Sequence, residues 1–88
     1  MNTEFDPDKN AANIAKHSVS LADGDGVLLD PLALTQEDEF AEGEQRWVTI
    51  GTNSFGELMV IVWTERNGNA RLISARKPQP KERRTYET

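Results

Sequence analysis

The 88-residue sequence contains no cysteine and only one histidine, His17. The lack of cysteine excludes disulfides, thiolate metal ligands and thiol nucleophiles, and one histidine excludes a multi-histidine metal site. The longest apolar run, Leu58–Trp63, is far shorter than the roughly 20 residues that span a bilayer, and no signal-peptide pattern begins the chain. We therefore expect one cytoplasmic domain over residues 1–88, without membrane contact.

The charged residues are divided unevenly along the chain. Residues 1–45 carry eleven acidic and two basic side chains, a net −9, whereas residues 46–88 carry eight basic and four acidic ones, a net +4. The total of −5 argues by itself against a nucleic-acid-binding protein. The uneven charge of the two halves favours a different binding partner for each half. The alternative is that both halves are merely solvated surface.

The first predicted helix spans Pro7–His17. Asp6 supplies the N-cap, proline suits the first helical position, and cations in the last turn favour the negative end of the helix dipole. Three residues are expected on its buried side, with Ala12 as a further candidate: Ala11, Ile14 and Ala15.

A second helix is predicted over Leu21–Leu29, where Ser20 can form a capping box with Asp23. Gly24 and Gly26 lie inside this segment. Each glycine costs about 1 kcal/mol relative to alanine in a helix interior, so this helix is expected to be short or frayed.

Three strands are predicted in the second half of the chain. They span Arg46–Gly51, Leu58–Thr64 and Arg71–Lys77. Asn67-Gly68 between the last two strands is a strong signal for a type I′ hairpin turn. The acidic segment at residues 35–45 is predicted to be a loop, and Pro80 begins a final helix that ends at Tyr86.

This order of elements predicts the fold class. Helices followed by an antiparallel meander form an α+β domain of two layers, with Glu4-Phe5 as a candidate short strand beside the meander. Alternation in the third strand places Leu72, Ser74 and Arg76 on one face.

His17 is the first candidate for chemistry. Histidine changes charge near neutral pH, and at a helix C-terminus it can be a cation that holds a phosphate or donates a proton. The alternative is a histidine that caps the last carbonyl groups of the helix. The sequence contains no phosphate-loop, Gly-x-Ser-x-Gly or His-Glu-x-x-His motif, and Asp23-Gly24-Asp25-Gly26 lacks the spacing of a calcium loop. We therefore expect neither a metal nor a cofactor.

Basic and aromatic residues of the second half form another group of candidates. An arginine fork fits a phosphate, so Arg76 at the end of a strand is the sharpest candidate for stabilising charge on phosphorus. For the other basic residues, a solvated edge or an ion pair with the acidic half is the alternative. Tyr86 can pack its helix or bind a phosphate. Trp47 and Trp63 are expected to straddle the sheet, where they either stack nucleobases or belong to the core.

Taken together, several segments resemble BrnT toxins, the RNA-cleaving half of a bacterial type II toxin–antitoxin pair. The resemblance begins with Phe5-Asp6-Pro7-x-Lys9-x-x-x-Asn13-x-x-Lys16-His17, Asp30-Pro31 and Glu44-x-Arg46-Trp47-x-x-Ile50-Gly51. It continues through Val60-x-Val62-x-Thr64-Glu65-Arg66, Arg71-x-Ile73-Ser74-Ala75-Arg76 and Glu82-Arg83-Arg84-x-Tyr86-Glu87. These segments cover nearly the whole chain in order.

The resemblance implies a fold and a set of partners. The fold is RelE-like, with helices on one face of an antiparallel sheet and the other face open to RNA. The partner is a BrnA-like ribbon-helix-helix antitoxin that neutralises the toxin in a hetero-oligomer and alone contacts operator DNA. The toxin cuts RNA and so blocks translation.

The resemblance also implies site residues for cleavage by the ribose 2′-hydroxyl without a metal. The catalytic residues are expected to be His17, Arg46, Arg76 and Tyr86. The RNA-binding residues are expected to be Lys16, Arg66, Lys77 and Arg83.

Three departures from the family pattern bear on activity. Ser18 stands where the family usually has glycine, and Gly24 and Gly26 stand in the second helix. The alternative function is therefore a catalytically weak or inactive homologue that binds the antitoxin as a co-repressor.

Overall fold

The computed structural model describes residues 2–88; Met1, which the predicted domain includes, lies outside the described residues. In chain order the elements are β1 (Thr3–Glu4), α1 (Pro7–His17), two 3-10 helices (Leu21–Gly24 and Val27–Leu29), β2 (Leu34–Glu37), β3 (Trp47–Thr52), β4 (Leu58–Arg66), β5 (Asn69–Arg76) and α2 (Pro80–Glu87). The α+β class is confirmed.

The strands form one sheet in the order β1-β5-β4-β3-β2. β2 to β5 pair as an antiparallel meander, whereas β1 pairs with β5 in parallel. The predicted meander of β3, β4 and β5 is confirmed. Asn67 and Gly68 both have positive φ, as a type I′ turn requires. The candidate strand at Glu4-Phe5 is confirmed one residue earlier, as Thr3–Glu4 beside β5. It runs parallel to β5, so the antiparallel sheet that the resemblance implied is wrong at this edge.

β2 lies in a segment that the sequence predicts to be a loop. Leu34 pairs with Ile50, and the hydroxyl groups of Thr35 and Thr49 lie 2.8 Å apart. All four residues of β2 are exposed, so the strand lacks the alternation of a half-buried strand. The loop prediction is therefore wrong at residues 35–37, where backbone pairing with β3 forms the strand.

α1 begins and ends where the sequence predicts. The Asp6 carboxylate accepts a hydrogen bond from the Asp8 N–H at 2.8 Å. Ser18 follows the helix with a φ of 59°, and its N–H donates to the Ile14 carbonyl. The prediction of the buried side is wrong, because Asn13 is the buried residue of this helix. The residues predicted to be buried, including the further candidate, are exposed: Ala11, Ala12, Ile14 and Ala15.

The predicted helix over Leu21–Leu29 is wrong as a single helix, because two 3-10 helices form there. The capping box of Ser20 and Asp23 is confirmed. Gly26 has a φ of +87° and passes so close to Ser54 that a Cβ would collide with it. Glycine is therefore required where the two short helices meet.

The core lies on the face of the sheet beneath the 3-10 helices. Its buried members come from both layers: Val19, Leu21, Val27, Met59, Ile61, Leu72 and Ala75. Trp47 and Trp63 lie side by side on this same face, with ring centroids 6.3 Å apart, and the Trp63 indole N–H donates to the Thr49 hydroxyl at 2.9 Å. The prediction that they straddle the sheet is wrong, and their position favours packing over base stacking.

β5 contains a register shift relative to β4. Leu72 pairs with Trp63, whereas Ser74 pairs with Val62, so one additional residue lies between them. The prediction that Leu72 shares a face with Ser74 and Arg76 is therefore wrong. Leu72 belongs to the core, and the other two residues lie on the opposite face, which we call the outer face.

α2 lies on the outer face. The Tyr86 hydroxyl is 3.1 Å from the hydroxyl of Thr52, at the end of β3. The resemblance implied an outer face open to RNA, but α2 covers the part of this face next to β3. The helix places its first turn near Arg76 and its last turn near Thr52.

Candidate active site

A buried amide fixes α1 against the edge of β5. The Asn13 Nδ2 donates to the carbonyl oxygens of Val19 at 2.7 Å and Ala75 at 2.8 Å, and the Asn13 Oδ1 accepts from the Ala75 N–H at 3.1 Å. β1 pairs with β5 only at Ala70 and Arg71. The Asn13 side chain therefore takes the place of a strand farther along this edge and satisfies its buried backbone groups.

A cleft of about 240 Å³ lies between α1 and β5. Lys9, Lys16 and His17 line it from the helix, and Ile73 and Ser74 line it from the strand; we call it the α1 cleft. Lys9 and Lys16 are seven residues, or about two helical turns, apart, so they project to the same side. No acidic residue lines this cleft, and within residues 2–88 neither lysine forms an ion pair. The α1 cleft therefore suits an anion.

A second cleft, of about 560 Å³, begins at the C-terminal end of α1. Ser18, which follows His17, lines it together with Lys77 and Arg83. Two acidic residues also line it, Asp23 and Glu57. Five of the eight predicted site residues lie on or beside these two clefts: Lys16, His17, Arg76, Lys77 and Arg83.

Arg76 ends β5 on the outer face, two residues beyond Ser74. Its guanidinium group donates two parallel hydrogen bonds to the Glu82 carboxylate, at 2.7 and 2.8 Å. These bonds raise the pKa of Arg76 and lower the pKa of Glu82. Glu82 also accepts from the Gln79 N–H at 2.8 Å, so the ion pair attaches the first turn of α2 to the end of β5.

Arg46 and Arg66 form a separate group around Glu44. A Glu44 oxygen lies 3.8 Å from the Arg46 Nε, and the other lies 3.5 Å from an Arg66 Nη. The Arg46 Nε is shielded from solvent and makes no hydrogen bond with any residue between 2 and 88.

The register of the sheet separates Arg46 from Arg76. Arg76 pairs with Val60, whereas continuation of the β3–β4 ladder places Arg46 level with Thr64. Four residues of a strand span roughly 13 Å. Both arginines lie on the outer face, but the structure does not bring these two predicted stabilisers to the same position.

Tyr86 is bonded to the segment that precedes β2. Its hydroxyl donates to the Asp30 Oδ2 at 2.6 Å, and the same oxygen accepts from the Thr52 N–H at 2.8 Å. The bond from Tyr86 contributes most to a lowered pKa of Asp30, and it raises the pKa of Tyr86. Tyr86 therefore attaches the last turn of α2, and its catalytic role stays a prediction.

Three residues of this region have no role in the sequence-based assignment. Lys9 lines the α1 cleft, and its seven-residue spacing from Lys16 in a predicted helix was a signal that could have found it. Glu82 and Asp30 each hold a predicted catalytic side chain. No sequence pattern joins Asp30 to Tyr86, because the contact depends on how α2 crosses the outer face.

The fold matches that of a solved toxin. The crystal structure of the Brucella abortus ribonuclease toxin BrnT, at 1.1 Å resolution, superimposes with a TM-score of 0.64 and 20% sequence identity over 90% of this chain and 99% of that chain. At this identity the match shows a shared fold alone. The structure is thus a small α+β domain of the kind found in that toxin.

Sequence comparison identifies the family. The family model for BrnT, the ribonuclease toxin of type II toxin–antitoxin systems, matches residues 5–82. Because this match covers most of the chain, including α1 and the whole sheet from β2 to β5, the chain belongs to the BrnT family of ribonuclease toxins. Membership in a type II family implies an antitoxin partner. Among curated proteins no sequence matches this chain.

The helices of the described chain are all short. No helix within residues 2–88 is long and apolar enough to cross a membrane.

Proposed function

We propose that this chain is an endoribonuclease toxin whose active site is the α1 cleft. The position of His17 carries the proposal, because the chain's one histidine lies in a cleft with two lysines and no acidic residue. Positive charge without a compensating carboxylate attracts the phosphates of RNA. The ribonuclease description of the family supports the same chemistry.

The proposed reaction uses the RNA's own 2′-hydroxyl group and needs no metal. The 2′-oxygen attacks the adjacent phosphorus, and the bond from phosphorus to the 5′-oxygen breaks. The products end in a 2′,3′-cyclic phosphate and a 5′-hydroxyl. A base takes the 2′ proton, an acid protonates the leaving oxygen, and cations stabilise the pentacovalent transition state.

His17 is proposed as the acid or base, or as a phosphate ligand. Arg76 is proposed to stabilise the transition state. Arg46 lies about 13 Å of strand away from it and does not reach the same phosphate, so its catalytic role stays a prediction. The Glu82 carboxylate presents two oxygens to the Arg76 fork, as a phosphate would. A phosphate of the RNA can therefore take the place of the Glu82 carboxylate as the bidentate partner of Arg76.

Other predicted residues are proposed to bind and orient the substrate. Lys16, Lys77 and Arg83 line or flank the two clefts, whereas Arg66 lies near Glu44 and contacts a more distant part of the RNA. Tyr86 is proposed to act on a phosphate only if it leaves Asp30.

The proposal includes the partner and the cellular role. A BrnA-like ribbon-helix-helix antitoxin forms a hetero-oligomer with this chain, neutralises it and carries the contact with operator DNA. RNA cleavage in the cytoplasm blocks translation, by analogy with RelE-like ribonucleases.

Cleavage of a fluorescent single-stranded RNA by the purified chain in EDTA tests this function. General acid–base catalysis contributes about 100-fold or more, so His17→Ala is expected to reduce the rate by at least that factor. Lys81→Ala is the control, because Lys81 is exposed on α2 and lines neither cleft. Unchanged cleavage by His17→Ala contradicts the site, and cleavage abolished by EDTA contradicts the metal-independent mechanism.

One observation favours the co-repressor as a second candidate. All four arginines on or next to the strands form ion pairs with glutamates: Arg46, Arg66, Arg71 and Arg76. Paired arginines are less available to RNA, which favours weak catalysis. A wild-type chain that binds its antitoxin tightly but cleaves no RNA supports this second candidate.

A further inference from the structure

An apolar groove lies on the outer face between α2 and β2. Its volume is about 370 Å³, and its floor consists of Leu34, Val48, Ile50 and Val60. α2 contributes only polar side chains to the wall, from Glu82 and Thr85. The helix therefore covers this groove at one side without filling it.

The groove continues into an acidic end. Gln36 and Val48 line both the apolar groove and a neighbouring cleft of about 280 Å³. The far side of that cleft is formed by Glu37, Asp38, Glu39 and Phe40. No lysine or arginine of the described chain lines either part. We call the two parts together the β2 groove.

Exposed apolar side chains line the β2 groove and also lie in the segment that precedes β2. Phe40 at the acidic end is 91% exposed, and Leu34 on the floor is 44% exposed. Leu29 and Leu32, in the segment that leads into β2, are 76% and 70% exposed. Exposed apolar side chains that line a groove, as Leu34 and Phe40 do, are typical of interaction sites.

We propose that the β2 groove binds the antitoxin through a segment with apolar side chains along one face and lysine or arginine beside them. Apolar side chains match the floor, and cations match the acidic end. RNA does not fit, because the carboxylates repel its phosphates. A second copy of the chain in a twofold contact would place like-charged grooves together. This inference rests on the proposed antitoxin pairing and not on the proposed catalytic residues.

Binding of the protein encoded beside this chain's gene tests the proposal, by calorimetry with the purified full chain. Leu34→Glu is expected to weaken binding at least tenfold, because it places a charge on the apolar floor. Glu39→Lys is expected to weaken it about fivefold, and less at high salt. Glu42→Lys is the matched control, because Glu42 is exposed in the same acidic segment but does not line the groove.

A second control addresses exposed aromatic residues. Phe40→Ala is expected to weaken binding several-fold. Phe55→Ala is expected to change it less than twofold, because Phe55 is 78% exposed in the β3–β4 turn and does not line the groove. Circular dichroism checks the fold of each variant, and Glu39→Lys keeps the test decisive if Leu34→Glu unfolds.

Three outcomes would overturn the proposal. The first is that Leu34→Glu and Glu39→Lys bind the antitoxin with wild-type affinity. The second is that the chain alone forms a dimer that Leu34→Glu dissociates. The third is that single-stranded RNA protects the groove from hydrogen exchange. RNA cleavage measured on the same variants separates this result from the proposed function. Variants that lose antitoxin binding but cleave RNA like the wild type support the groove, whereas a wild-type chain that cleaves no RNA contradicts the proposed function.

Discussion

The α1 cleft and the β2 groove have opposite charge, although both take their charged side chains mainly from the acidic half of the sequence. Lys9 and Lys16 are the only lysines among residues 1–45, and both line the α1 cleft. The acidic end of the β2 groove comes from residues 37–39 of the same half. The net charge of a segment therefore does not give the charge of a surface. Folding places both cations of this half in one cleft and three of its acids at the end of another.

The two surfaces also differ in how they are held. The α1 cleft depends on the buried amide of Asn13. By contrast, α2 at the side of the β2 groove has no buried residue and is attached at its two ends, by Glu82 to Arg76 and by Tyr86 to Asp30. Segments with few buried contacts open more readily than the core. We therefore expect a fixed α1 cleft and an adaptable β2 groove.

Replacement of Asn13 by alanine is expected to have the largest effect on stability. It removes three hydrogen bonds and leaves buried backbone groups of Ala75 and Val19 without partners, which costs about 3 kcal/mol in the free energy of unfolding. Urea denaturation measures the loss. Gln36→Ala in the β2 groove is the control and is expected to change stability by less than about 0.5 kcal/mol. Equal stability of both variants would show that the amide does not hold α1.

The elements with strong local signals were predicted from the sequence. The ends of α1 follow from Asp6 and Pro7, and the β4–β5 hairpin follows from Asn67 and Gly68. β2 was not predicted, because an exposed edge strand has no apolar alternation and forms through pairing with β3.

The part of the site that depends on local sequence was predicted, and the part that depends on tertiary contacts was not. Lys16 and His17 follow each other on one helix, so sequence proximity brings them to the same cleft. The face of Arg76 depends on the register shift in β5, and no local pattern marks that shift. The burial of Asn13 instead of its apolar neighbours was missed, because a helix at a sheet edge needs a side chain that bonds backbone groups.

Replacement of Lys9 by alanine is expected to have an intermediate effect, on RNA binding and not on folding. Lys9 is exposed and forms no ion pair within residues 2–88, so the affinity for single-stranded RNA should fall several-fold. The slope of log affinity against log salt should decrease by about 0.7, the value for one lost phosphate contact. Fluorescence anisotropy over a salt series measures both, with Lys81→Ala as the charge-matched control. An unchanged slope for Lys9→Ala would place the RNA elsewhere than in the α1 cleft.

Ionisation of Tyr86 is expected to show the smallest effect, on the attachment of α2. The raised pKa of Tyr86 means that its contribution to stability is present below the ordinary value of 10.0 and is lost as the pH rises through the folded value. The lowered pKa values of Asp30 and Glu82 mean that their contributions are present above the ordinary values of 3.8 and 4.5 and are lost as the pH falls through the folded values.

Tyr86 is the chain's only tyrosine, so its absorbance in alkaline titration reports this contact directly. Asp30→Asn removes the negative charge of the carboxylate that accepts the hydrogen bond from the Tyr86 hydroxyl. Tyr86 should therefore ionise at lower pH in this variant than in the wild type. Asp25→Asn is the control, because the Asp25 side chain makes no hydrogen bond to residues 2–88, and identical titrations of all three proteins would mean that α2 is not attached through Asp30.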